Sequence, residues 1–119
     1  MSILAIPVEG DQVCDHFGHS KSFAFIRLED GKIVNQEILP TPTMQNRHEE
    51  FPLWFSSKQV DAVIVVRIGG GVYKTLKQKG MEIFKTSPAS FEEAVQQFVQ
   101  NTLDKVQEDE LVSCGHKHH

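Results

Sequence analysis

The chain has 119 residues, 39% of them hydrophobic and 24% charged, which is the size and composition of one globular domain. Twelve basic against sixteen acidic residues leave a net charge of −4, without the basic footprint of a nucleic-acid binder. No apolar run reaches the length of a membrane-spanning helix, and Met1-Ser2-Ile3-Leu4-Ala5-Ile6-Pro7 lacks the basic start and long apolar stretch of a secretion signal.

A cytoplasmic location is therefore the default expectation. There, the two Cys residues read as thiols or ligands ahead of a structural disulfide, with a Cys14–Cys114 bridge as the alternative.

In chain order, Ile3 to Val8 is a short apolar run that reads as a buried first strand. Gly10 to Ser22 follows as a polar loop. Phe23 to Glu29 and Lys32 to Leu39 read as a hairpin around Asp30-Gly31, ended by Pro40 and Pro42. His48 to Lys58, dense in Phe51, Leu53, Trp54 and Phe55, is compatible with a helix that has Pro52 at an early position. Val60 to Val66 is the most apolar run and reads as a central strand covered on both faces. Gly69-Gly70-Gly71 then leads into a helix over Val72 to Lys79, with Gly80 as its stop. Met81 to Lys85 is a fifth strand. Ser90-Phe91-Glu92-Glu93 is a capping box that opens a helix with Phe91, Ala94, Val95, Phe98 and Val99 on one face.

This order predicts a single α/β domain: a five-stranded mixed sheet with about three helices, over residues 1–103. Residues 104–119 read as a polar, Cys/His-rich tail that is mobile. With antiparallel hairpins and right-handed crossovers, strands one, three, four and five run the same way. The loops after strands one, four and five, and the start of the helix near His48, then open on one edge. Open α/β sheets bind ligands at that carboxyl edge. Cys14, His16, His19, His48, Arg67 and the glycines are thereby expected to face one cleft.

Both Cys residues and five of the six His residues fall in Cys14-Asp15-His16-Phe17-Gly18-His19 and Cys114-Gly115-His116-Lys117-His118-His119. Thiolate and imidazole bind soft and borderline metals, so Cys14, His16, His19, Cys114, His116, His118 and His119 are candidate metal ligands. Each has a plainer reading as well: Cys14 as a small buried hydrophobe, His16 as a loop-organising donor, the tail as a solvated chelator. Phe17 reads as a plug that packs the loop onto the core. Arg67 offers a fixed positive charge, and Gly69, Gly70 and Gly71 offer bare amides at a helix start, or merely a tight turn.

Asp15-His16-Phe17-Gly18-His19, Ile68-Gly69-Gly70-Gly71 and Ser90-Phe91-Glu92-Glu93-Ala94 together resemble the dinitrogenase iron–molybdenum cofactor biosynthesis family, over about residues 1–103. That family includes nitrogenase cofactor carriers and the molybdenum–copper orange protein. The resemblance implies a ribonuclease-H-like fold and the binding or carriage of an anionic metal–sulfur cluster of iron–molybdenum or molybdenum–copper type. It implies no catalysis by the protein. Cys14, His16, His19, His48, Arg67, Gly69, Gly70 and Gly71 form the candidate cluster site, and a cluster-synthesis or acceptor protein is the partner class.

The alternative is a chaperone or sensor for a single zinc, copper or nickel ion, with the tail as chelator. An enzyme is the weakest expectation. The predicted cleft loops offer Asp15 with Glu9 and Asp11 nearby, and a nuclease of this fold needs several carboxylates converging on divalent metal.

Overall fold

In a computed structural model of the chain, residues 2–14, 17, 20–42, 47–86, 90–100 and 102–106 are described, the side chains of Arg47 and His48 excepted. Every residue from Ile3 to Val8 in β1 (Ser2–Glu9) is buried. Alternate side chains fill two different cores: Ile3 and Ala5 join one, Leu4, Ile6 and Val8 the other. A Gly10-Asp11 turn, with Gly10 at φ 65°, reverses the chain into β2 (Gln12–Val13). β3 (Ser22–Glu29) repeats the alternation, with Phe23 and Phe25 on one face and Ala24, Ile26 and Leu28 on the other. Asp30 and Gly31, at φ 53° and 75°, make the two-residue hairpin to β4 (Lys32–Pro40).

The remaining elements are α1 (Arg47–Ser57), β5 (Ala62–Val65), α2 (Gly70–Gln78), β6 (Glu82–Lys85), α3 (Phe91–Val99) and β7 (Asp104–Lys105). The sheet order is β4-β3-β1-β5-β6-β7, with β2 on β1. β5 runs parallel to β1 and β6 parallel to β5, whereas β3 is antiparallel to both β1 and β4. The five expected strands are β1, β3, β4, β5 and β6, in the expected directions. The two-residue β2 and β7 extend the sheet to seven strands.

Helices cover both faces. Phe51 and Phe55 of α1 and Val72 and Leu76 of α2 close one core; Phe91, Ala94 and Val95 of α3 close the other. Ser90 is the N-cap as read: its Oγ accepts from the Glu93 amide at 3.2 Å, and the Glu93 carboxylate returns to the Ser90 hydroxyl, which donates to Oε1 at 3.2 Å. Gly80 takes φ 86° after α2, as a helix stop requires.

Local expectations shift at four points. α2 begins at Gly70, so Gly70 and Gly71 lie inside the helix instead of leading into it. Burial of Val72 and Leu76 outweighs the poor helix propensity of glycine there. Pro52 is interior to α1, where its missing N–H leaves the His48 carbonyl without its helical donor. The loop expected over Gly10 to Ser22 contains β2. Beyond residue 103, Asp104 and Lys105 pair with Lys85 and Phe84, and Val106 is buried.

Candidate functional site

The carboxyl ends of β1, β5 and β6 share one edge of the sheet, and β1 and β5 are neighbours there. Cys14 is half-buried just after β2, alongside the carboxyl half of β1. Its amide donates to the Pro7 carbonyl at 2.7 Å, which folds the start of the loop back along its own strand. Phe17 is 2% exposed and drives into the first core. Its ring lies 5.0 Å from Phe51, 5.3 Å from Phe23 and 6.0 Å from Phe55.

The far leg of the loop is braced separately. The Ser20 amide reaches the Phe17 carbonyl at 3.3 Å, and Ser20 is 2% exposed. The Thr41 hydroxyl donates to the Ser20 carbonyl at 2.9 Å, and the Thr41 amide to the Lys21 carbonyl at 2.8 Å. Phe17 acts as the plug the sequence suggested. Thr41, between two prolines, carried no sequence signal for its bracing role.

Phe17, Phe51, Ile68 and Val72 belong to the same core. The Phe17–Phe51 contact joins the first loop to α1, and Ile68 and Val72 seat the loop after β5 and the first turn of α2 in the same core. Arg67 is exposed at the end of β5, and the buried Ile68 separates it from the glycines. Gly69 is the N-cap of α2, at φ −76° and ψ 153°, with no side-chain cap. A Cβ built on Gly69 meets nothing within 4 Å. Neither Gly70 nor Gly71 takes a positive φ, the described glycines that do being Gly10, Gly31 and Gly80.

The tight-turn explanation of the three glycines therefore lapses. A glycine at which an added Cβ would meet nothing, followed by two more in the first turn of α2, leaves space at the edge. An anion suits such a place, because helix N-termini carry unsatisfied N–H groups and partial positive charge.

The start of α3 is tied into the same region. The Phe91 amide donates to the Asp11 carbonyl at 3.0 Å, and Gln12 bridges to Ser90. At the end of β6, a pocket of about 330 Å³ is lined by Lys85, Thr86, Gln97, Thr102, Leu103 and Asp104. Thr86 is buried there, its hydroxyl 3.4 Å from Gln97 Oε1. Periodicity gave no hint of this pocket, since its residues come from three separate segments.

Cys14, Arg67 and Gly69 thus lie on connections near one sheet edge, with Gly70 and Gly71 in the first turn of α2. His16, His19, Cys114, His116, His118 and His119 lie outside the described residues, and of His48 only the backbone in α1 is described. Among the described residues, no group of three or more His, Cys, Asp or Glu side chains is placed to hold a metal ion. No described helix is long and apolar enough to cross a membrane.

A family model described as dinitrogenase iron-molybdenum cofactor matches residues 1–101. An uncharacterized protein of Methanocaldococcus jannaschii is 28% identical over 105 residues, spanning 86% of this chain and 89% of that protein. The crystal structure of PH0822 superposes with a TM-score of 0.78 at 23% identity, covering 87% of this chain and 93% of that one. The apo form of the orange protein from Desulfovibrio gigas gives 0.76 at 15% identity, covering 89% and 93%. At these identities the two solved structures establish a shared fold.

Proposed function

The chain belongs to the dinitrogenase iron-molybdenum cofactor family, and on that premise we propose that it binds or carries an anionic metal–sulfur cluster for assembly, storage or delivery. The cluster is cargo, and the protein holds it without transforming it. Cys14, His16 and His19 supply ligands from the first loop, and His48 adds one from the start of α1. The amides of Gly69 to Gly71 and the charge of Arg67 complement the anion.

The observation that supports this most directly is Gly69. Its negative φ and the empty space where a Cβ would stand leave room for a ligand to approach the backbone at the start of α2. Hydrogen bonds from fixed amides stabilise sulfide-rich charge without any cationic patch, which suits a chain of net charge −4.

The test is metal and acid-labile sulfide analysis, with a visible absorption spectrum, on the full chain purified anaerobically from its native host. Molybdenum or iron with sulfide and a strong visible band is the expected result. Colourless protein holding a single zinc, copper or nickel ion and no sulfide would overturn the reading. A folded Cys14→Ser/His16→Ala double variant is expected to lose the cluster, and unchanged stoichiometry in that variant would remove those residues from the site.

A further inference from the structure

β4 is the outer strand of the sheet, nine residues long, and no other strand pairs with its free side among the described residues. Such an edge presents a row of backbone donors and acceptors to any strand that matches it. This one also exposes three large apolar side chains: Ile33 at 44%, Val34 at 52% and Ile38 at 48%. A bulge contributes to their grouping. Leu28 pairs with Ile33 and Arg27 with Asn35, so Val34 is an extra residue. Ile33 and Ile38, which an unbroken strand would put on opposite faces, therefore share the face of Leu28 and Ala24.

We propose that the β4 edge binds a second copy of this chain, strand to strand and antiparallel, about a two-fold axis passing between Val34 and Asn35. In that register Lys32 of each copy lies opposite Glu37 of the other, Ile33 opposite Gln36, and Val34 opposite Asn35. Charge complementarity selects it. Lys32 and Glu37 are the only charged residues of β4, and this pairing places each against its opposite, twice over, beside the 3.8 Å ion pair that Glu37 makes with Lys58 of its own chain. The register needs no bulge between the two copies, because both strands carry the extra residue at the axis. A two-fold contact of this kind uses one self-complementary patch.

The occupant is a second copy because a single strand supplies both halves of the match. Ile33 and Val34 are covered at the seam, and Ile38 lies beside the partner's Asp30-Gly31 turn. The sheet then runs continuously through both molecules. Antiparallel edges point the two carboxyl edges in opposite directions, so the candidate sites stay apart and open.

Sedimentation equilibrium on the full chain tests this. The expected result is a monomer–dimer equilibrium that weakens with salt. Lys32→Glu and Glu37→Lys are each expected to weaken it roughly tenfold, since like charges then face each other twice. The Lys32→Glu/Glu37→Lys double variant restores the dimer. Val34→Lys, at an exposed position that does not endanger the fold, is expected to abolish it. A chain that stays monomeric at millimolar concentration overturns the proposal. So does a dimer insensitive to all four variants, or a double variant as weak as the singles.

Discussion

Phe17 of the first loop and Phe51 of α1 hold their ring centroids 5.0 Å apart, so one contact fastens the segment bearing Cys14 to the helix that begins beside His48. Neither residue has ligand chemistry of its own. Their packing sets the spacing of residues that do.

Phe17→Ala is expected to cost about 3–5 kcal/mol, the range for deleting a buried aromatic ring. Urea denaturation checks it, with a lowered midpoint and unchanged slope as the expected outcome. Phe17→Leu should recover about half of the loss. Cluster binding by the folded fraction should weaken in Phe17→Ala even at low temperature, because the loop has lost its plug.

Gly69→Ala separates fold from function. The backbone at φ −76° accepts alanine and nothing lies in its way, so stability should change by no more than about 1 kcal/mol. Reconstitution with cluster, followed in the visible spectrum, should show a clear loss of binding. Full retention would return Gly69 to an ordinary helix cap.

The direction of β7 bears on the tail. Asp104 pairs with Lys85 at the carboxyl end of β6, and Lys105 with Phe84, so the chain leaves Val106 heading away from the candidate site. Deleting residues 113–119 is therefore expected to leave the cluster chromophore intact while removing any weak binding of single zinc, copper or nickel ions. Metal analysis of the truncated chain distinguishes the two pools.

The hydrogen bond from Lys105 to Glu82, 2.6 Å across β6 and β7, holds the Glu82 carboxyl below its ordinary value near 4.5, with Lys77 adding to the effect. A depressed acid contributes stability above its unfolded value and loses it as pH falls through the folded one. Lys105→Met should therefore destabilise the protein modestly at neutral pH and shrink the acid-induced loss of stability. Thermal melts from pH 7 to pH 3 on both proteins check the sign. Both side chains are more than a third exposed, so the effect stays small.

Features set by local chemistry were legible in the residues. Ser90 and Glu93 satisfy each other within one turn, and Asp30-Gly31 supplies the two positive φ values of a tight hairpin. Features set by distant contacts were not. β2 is two residues held by Val8 and by the bridge from Gln12 to Ser90. β7 is an Asp-Lys pair with no apolar pattern, recruited by the edge of β6. At the site, residue types marked Cys14 and the glycines, while the bracing by Thr41 depends on β4 ending where it does.

Trp54, the only tryptophan, packs edge-to-face 5.6 Å from Phe23 and 5.2 Å from Phe25, and Phe23 touches the plug at Phe17. The protein thus carries a single indole emitter, excitable apart from Tyr73, two ring contacts from its candidate ligand loop. A coloured metal–sulfur cargo seated there would quench that emission by energy transfer. Loading and release can then be timed in the unlabelled protein, on the stopped-flow scale, with no probe added.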